Sequence, residues 1–115
     1  MTDPTVQRSV SVFYDLERQA NQTYTEFNEM KKIGNAEEIN AILTDPEKRA
    51  AVIAQDPLNK IGNAMTKINA EMKRIEDAPN MTADQKRDLI NYYKSMKADL
   101  ARQGVAVAKQ VGLTH

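Results

Sequence analysis

The sequence predicts an all-α protein with a long N-terminal helix, short linking helices and a long antiparallel C-terminal helical hairpin. Apolar residues recur at spacings of three and four, which is the period of helices that bury one face. Strand signals are missing, since the sequence contains no sustained apolar/polar alternation and no Asn-Gly or Asp-Gly turn. Helix starts are marked by Asp-Pro pairs, because Asp caps a first turn and Pro fits the first helical position. These pairs are Asp3-Pro4, Asp45-Pro46 and Asp56-Pro57.

The length of 115 residues and the absence of cysteine predict a single helical domain, residues 1–115, without disulfides. Within it, residues 1–34 are predicted to form one long helix from about Pro4 to Ile33. Gly34 follows two lysines, and a glycine after basic residues is a typical helix end. At about 1.5 Å per residue the helix is about 45 Å long, more than a compact domain of this size needs. Its apolar stripe contains Val6, Val10, Phe13, Ala20, Tyr24 and Phe27.

Residues 35–56 are predicted to form two short helices. The first spans about Ala36–Leu43, and the second begins at Pro46 and ends near Gln55. Both carry apolar residues at helical spacing, so we expect them to link the long helix to the rest of the chain.

Residues 57–115 are predicted to form the hairpin. After Pro57 the apolar residues follow spacings of 3, 4, 3, 4 and 3, which is an unbroken heptad pattern. Thr82 and Gln85 have the spacing of a capping box, so the second helix begins there and ends near Val111. The predicted seam between the two helices consists of Leu58, Ile61, Met65, Ile68, Met72, Leu89, Tyr93, Met96 and Leu100.

The two hairpin helices can also be aligned by residue number. Around a loop near Asn80, facing residues in an antiparallel pair have numbers that add to a constant. With a constant of 161 every facing pair is apolar, and these pairs are Ile61 with Leu100, Met65 with Met96, Ile68 with Tyr93, and Met72 with Leu89. The same alignment places Gly62 near Ala98 and predicts a close approach of the two backbones.

Charge is distributed unevenly although the formal net charge is zero. Residues 1–56 hold six basic and ten acidic side chains, a net charge of −4, whereas residues 57–115 hold ten basic and six acidic, a net charge of +4. The two halves can attract each other within one subunit, or the polarity can serve head-to-tail stacking or a basic face for nucleic acid. The balanced total argues against a strongly basic DNA-packaging protein.

Few residues are suited to catalysis or to binding a metal. The sequence has no cysteine and one histidine, His115, so it predicts no zinc site, and its glycines form no phosphate-binding loop. Glu37-Glu38 and Asp84 with Asp88 are the nearest approach to paired carboxylates, and we expect them to be charges near helix N-termini. We therefore expect no enzymatic activity, no cofactor, no metal and no small-molecule substrate.

Neither a membrane span nor a secretory signal is expected. No run of the sequence approaches the roughly 18 apolar residues of a transmembrane helix, and Thr2-Asp3-Pro4 does not have the pattern of a signal peptide. Tyr14 and Tyr92 are expected beside the buried stripes, where aromatic residues either mark a partner surface or pack half-buried.

Several motifs follow one another in a characteristic order. They are Phe13-Tyr14-Asp15-Leu16 with Ala20, Gly34, Glu37-Glu38-Ile39, Asp45-Pro46-Glu47-Lys48-Arg49, Asp56-Pro57-Leu58-Asn59, Arg74-Ile75-Glu76 and Met81-Thr82-Ala83-Asp84-Gln85-Lys86-Arg87. This order resembles the helical C-terminal region of large phage polyvalent proteins and of the internal virion, or DNA-ejection, proteins of short-tailed phages. The resemblance covers residues 10–103, and Gln85 stands where the family more often has Glu. Members of that family are usually far larger than this chain.

The resemblance implies a non-enzymatic virion component of the phage particle interior, present in the cytoplasm of the bacterial host before assembly. Such a protein self-associates near the portal and DNA path or binds other virion proteins, and non-specific DNA contact is an open possibility. An alternative is a small soluble helical adaptor that binds one protein partner. Because the long first helix and the end of the last helix leave apolar stripes uncovered, the candidate interface residues are Val6, Val10, Phe13, Tyr14, Tyr24, Phe27, Val107 and Val111.

Overall fold

The computed structural model describes residues 4–113 of the chain, and the side chains of residues 7–113. These residues form four helices, α1 (Pro4–Ile33), α2 (Ala36–Thr44), α3 (Pro46–Glu76) and α4 (Ala83–Val111), and the described part contains no strand. The predicted all-α class is therefore confirmed. The hairpin of α3 and α4 packs along its length, and α1 lies against both of its helices. The body is elongated, with extents of 60 × 26 × 15 Å.

The helix ends follow from local chemistry. Gly34 closes α1 with a φ of 71°, a left-handed conformation that favours glycine. Asp45 starts α3, because its carboxylate accepts hydrogen bonds from the amides of Glu47 and Lys48 at 3.0 and 3.2 Å. At the start of α4 the Thr82 hydroxyl accepts from the Gln85 amide, and the Gln85 side chain accepts from the Thr82 amide. The predicted capping box is therefore confirmed.

The prediction of a helix start at Pro57 is wrong, because α3 continues through this residue. The predicted short helix after Pro46 and the first hairpin helix are one helix of 31 residues, so α2 is the single short linking helix. Proline inside a helix removes the hydrogen bond to the carbonyl four residues earlier. Here the carbonyl that loses its partner belongs to Ile53, four residues before Pro57. Ile53 is 53% exposed, so water can reach the side of the helix on which this carbonyl lies. Alanines 50, 51 and 54 and Leu58 are buried on the other side and hold the helix together across the proline.

The register of the hairpin agrees with the predicted alignment to within one residue. The ammonium of Lys86 donates to the carbonyl oxygen of Glu76 at 2.9 Å near the loop. Further along, Gly104 lies beside Leu58, and at the far end Gly112 lies beside Ala50. In each of these three pairs the residue numbers add to 162, against 161 in the prediction. The helices thus keep the antiparallel alignment over the whole hairpin.

The most buried face of α4 differs from the predicted seam. The predicted residues of α3 are buried or half-buried, but Leu89 and Met96 of α4 are 38% and 36% exposed, and Tyr93 and Leu100 are half-buried. The fully buried residues of α4 are instead Ala98, Ala101, Gly104 and Ala108. Ala101 lies one position after Leu100 of the predicted seam, and Gly104 and Ala108 continue the same face at spacings of three and four. The buried face is therefore rotated by about 100° on a helical wheel. The rotation arises because α1 packs beside α3, so that the deepest position on α4 lies between the two.

The core at the junction of the three long helices consists of a few large side chains among many alanines. Phe13, Leu16, Leu58 and Met65 are at most 2% exposed. Leu113, which follows α4, is fully buried because its amide donates to the Ala108 carbonyl at 2.8 Å and turns the chain back. Among the described residues no polar or charged residue is buried. Small residues let the helices approach closely, and this explains the narrow body.

Candidate interaction surfaces

A groove lies between the N-terminal half of α1 and the α3–α4 hairpin. It has a volume of about 430 Å³ and is open to solvent. Val10 and Tyr14 of α1 and Met72 of α3 provide its apolar lining. We call this feature the α1–α4 groove, because its remaining wall is formed by Lys94 and Lys97 of α4. An open, partly apolar groove of this kind suits a helical or extended segment of a partner better than a small enclosed ligand.

The charges in the α1–α4 groove are predominantly positive. Its lining includes Arg18, Lys94 and Lys97 and one carboxylate, Asp15, a net charge of +2. The Arg18 guanidinium bonds Asp15 at 2.6 Å, and the Lys97 ammonium lies 5.6 Å from the centre of the Tyr14 ring, within cation–π range. The excess of cations favours an anionic partner.

A second surface runs along the solvent-facing side of α4. We define the α4 stripe as the positions that share this side and carry no charge, which are Gln85, Leu89, Tyr92, Met96, Leu100, Gln103, Val107 and Gln110. Tyr92 is its most exposed large residue at 61%, and its ring meets Tyr93 edge to face with 5.7 Å between the centroids. From Gln85 to Gln110 the stripe is about 37 Å long at 1.5 Å per residue. The stripe includes three glutamines, and its Leu100 and Val107 are half-buried, but Leu89, Tyr92 and Met96 form an exposed apolar group on it. An uncharged surface with such a group is typical of an interaction surface.

A third surface is formed where α1 extends past α3. The side chains of Gln19 and Asn21 hydrogen-bond to Glu47 and Gln55, each at 3.3 Å, near the start of α3. From there α1 continues to Ile33 for about 18 Å, and in this part α2 packs against it. We call residues 22–47 the acidic end.

The acidic end carries much of the negative charge of the chain. Residues 22–47 hold six acidic and two basic side chains, a net charge of −4. The boundary between the acidic and the basic half of the sequence, at residue 57, falls inside α3. The difference in charge therefore distinguishes two regions of the surface and does not follow the division into helices. The acidic end also exposes apolar residues, since Ile33 is 67% and Leu43 is 39% exposed. This surface is therefore both anionic and partly apolar.

Several basic residues of the hairpin lie close to acids on their own helices. The pairs with an i, i+3 or i, i+4 spacing are Lys60 with Asp56, Arg74 with Glu71, Arg87 with Asp84, and Arg102 with Asp99. Such pairing reduces the positive charge that the hairpin presents to a polyanion such as DNA.

The predicted interface residues divide into three groups in the structure. Phe13 is fully buried in the core, so its assignment to an interface is wrong. Val10, Tyr14 and Val111 are half-buried and pack against the core, although Val10 and Tyr14 also line the α1–α4 groove. The third group is half-buried and consists of Tyr24, Phe27 and Val107, of which Val107 belongs to the α4 stripe. The side chain of Val6 lies outside the described part of the chain. The misplacement of Phe13 has a simple cause, since a helix stripe does not show how many helices cover it.

Of the acidic residues singled out from the sequence, Glu37, Glu38 and Asp84 lie in first turns, whereas Asp88 lies in the second turn of α4. Asp84 pairs with Arg87 at 3.2 Å. Within residues 4–113 no group of His, Cys, Asp and Glu side chains could hold a metal ion, and His115 lies outside them. No helix of this part of the chain has a stretch long and apolar enough to cross a membrane.

Glu17 is a carboxyl group of α1 whose environment raises its pKa. Partial burial against α3 disfavours the charged form and raises this pKa above its ordinary value. Its carboxylate fills the space beside Gly62 that a side chain there would occupy. The sequence predicted that Gly62 would lie near Ala98 of α4. In the structure the space beside Gly62 is filled by Glu17 of α1.

The sequence reasoning did not identify the α1–α4 groove or the acidic end. Arg18, Lys94 and Lys97 have the appearance of ordinary surface charges, and only the contact between α1 and α4 brings them together. The α4 stripe had a signal, because its positions carry no charged residue over seven turns of helix.

Comparisons with protein-family models, with curated proteins and with solved structures find no match to this chain.

Proposed function

We propose that this chain is a non-enzymatic structural component of a phage particle, an internal or DNA-ejection protein that self-associates near the portal and the DNA path. The motif order between residues 10 and 103 supports the assignment to this class. The proposal places the protein in the virion interior, and in the cytoplasm of the host before assembly. The observation that carries the self-association is the α4 stripe.

A second copy of the same stripe is a suitable occupant of this surface. Two stripes brought together by a twofold axis place uncharged residues against uncharged residues along the line of contact, so no like charges oppose one another there. Tyr92 adds a large exposed amphipathic ring to the contact, and aromatic residues are enriched in protein interfaces. The glutamines on the stripe can hydrogen-bond across the interface.

Light scattering coupled to size-exclusion chromatography, over a concentration series into the tens of micromolar, tests this proposal. We expect the unmodified chain to form dimers or larger species. Tyr92→Asp places a charge at the most exposed large residue of the stripe and should weaken association about tenfold or more. Asn91→Asp adds the same charge at a neighbouring exposed position outside the stripe and should leave association unchanged.

Circular dichroism of both variants checks that the helices remain. A monodisperse monomer at all concentrations would contradict self-association and favour the alternative, in which a small helical adaptor uses the stripe to bind one other protein.

A further inference from the structure

The α1–α4 groove and the acidic end have complementary properties. The groove has a lining charge of +2 and apolar residues such as Val10 and Met72. The acidic end has a charge of −4 and exposes Ile33 and Leu43. The two surfaces thus carry opposite charges, and each also offers apolar side chains to the other.

The two surfaces cannot meet within one molecule. Tyr14 in the groove and Ile33 at the acidic end belong to the same uninterrupted helix, α1. At 1.5 Å per residue the helix keeps them about 28 Å apart. Only a second copy of the chain can bring an acidic end to a groove.

We propose that the acidic end of one copy docks in the α1–α4 groove of the next copy, in a head-to-tail contact. This inference rests on the proposed function, because it names a surface through which the self-association extends. In the contact, Glu37 and Glu38 at the start of α2 face Lys94 and Lys97, and the exposed Ile33 packs near Met72. The attraction between the charges sets the orientation, and the apolar contact adds burial.

A head-to-tail contact has a different consequence from the contact through the α4 stripe. The stripe pairs with itself and closes a dimer, whereas the groove and the acidic end are different surfaces, so every added copy leaves one of each free. The contact therefore propagates and produces a ring if the rotation closes or a filament if it does not. A ring is the form that suits a component arranged around a portal.

Two charge-reversal variants test the contact. Lys94→Glu with Lys97→Glu makes the groove negative, and Glu37→Lys with Glu38→Lys reverses the docking side of the acidic end. We expect each variant alone to stop at the dimer in light scattering, with association beyond the dimer weakened about tenfold or more. In an equimolar mixture each groove again meets side chains of opposite charge at residues 37 and 38, so species larger than the dimer should return.

Lys67→Glu with Lys109→Glu is the matched control, since both lysines are exposed and neither lines the groove. It should assemble like the unmodified chain. Glu37→Gln with Glu38→Gln guards against loss of α2, because it removes the charges without placing cations at a helix N-terminus, and it should also weaken the larger species.

The outcomes separate the two proposals. If the unmodified chain associates beyond the dimer and the mixture of reversed variants behaves like each variant alone, the head-to-tail contact is overturned while the α4 stripe stands. If the unmodified chain is a monomer throughout, the proposed function itself fails.

Discussion

The ring of Phe13 in α1 packs directly against Gly104 in α4, in the space that a side chain at residue 104 would occupy. Phe13 is fully buried there, and Leu58 of α3 lies at the same point. The three long helices therefore meet at the point where Phe13, a large buried side chain, lies against Gly104, which has no side chain. Close approach of α1 to the hairpin depends on this pair, because a bulkier residue at 104 would push the helices apart.

Gly104→Ala should destabilise the fold by about 1–3 kcal/mol. Alanine is normally favoured over glycine inside a helix by about 1 kcal/mol, but here its Cβ would overlap the Phe13 ring, which has no space to move. Urea unfolding monitored by circular dichroism measures the change. Gly62→Ala is the control, since it meets only the flexible end of Glu17, and it should be neutral or stabilising. Equal stability of the two variants would refute the close packing at Gly104.

Leu113→Ala should cost about 2–4 kcal/mol in the free energy of unfolding, because Leu113 is fully buried although it follows the last helix. Leu43→Ala, at a leucine that is 39% exposed, should cost clearly less. Thermal or urea unfolding of the two variants gives the comparison. If the two losses were equal, Leu113 would not be anchored in the core.

Pro57→Ala should stabilise the chain by about 1–2 kcal/mol. The alanine amide restores the hydrogen bond within α3 that proline cannot make, and the loss of half-buried ring contacts offsets part of the gain. Pro46→Ala should change stability by less than about 0.5 kcal/mol, because proline at the first helical position loses no helix bond. A destabilised Pro57→Ala variant would show that α3 does not run through residue 57 as a continuous helix.

Glu17→Gln should stabilise the fold at neutral pH and have progressively less effect as the pH falls. Burial raises the pKa of Glu17 above its ordinary value of 4.5, so the folded state binds its proton more tightly than the unfolded state does. The stability linked to this group is full below pH 4.5 and is lost as the pH rises through the folded pKa. Urea unfolding at several pH values, compared between variant and unmodified chain, measures this trend.

Glu71→Gln serves as the contrast, because the hydrogen bond from Arg74 lowers the pKa of Glu71. The ionised Glu71 side chain stabilises the fold above the pKa that it has in the unfolded state. This stabilisation is lost as the pH falls through the lower pKa of the folded state. Glu71→Gln should therefore be less stable than the unmodified chain at neutral pH. If Glu17→Gln destabilises the chain at neutral pH, as Glu71→Gln should, the assignment of Glu17 as a partly buried carboxyl is incorrect.

Local chemistry in the sequence was sufficient to predict the fold class, the bounds of α1 and α4 and the alignment of the hairpin. Gly34 and the capping box of Thr82 and Gln85 act on amides and carbonyls within a few residues, so their effect does not depend on the rest of the fold. The heptad after residue 57 specified the hairpin register to within one residue, because the predicted alignment pairs apolar side chains along the whole seam.

Contacts between distant segments decided the rest. Packing of the alanine-rich face of α3 outweighs the cost of Pro57, and the position of α1 turns the buried face of α4 by one residue and places Phe13 in the core. The same rotation leaves the α4 stripe in solvent, and the contact of α1 with α4 creates the groove. A sequence shows which residues of a helix are apolar, whereas the number and direction of neighbouring helices determine which of them are covered.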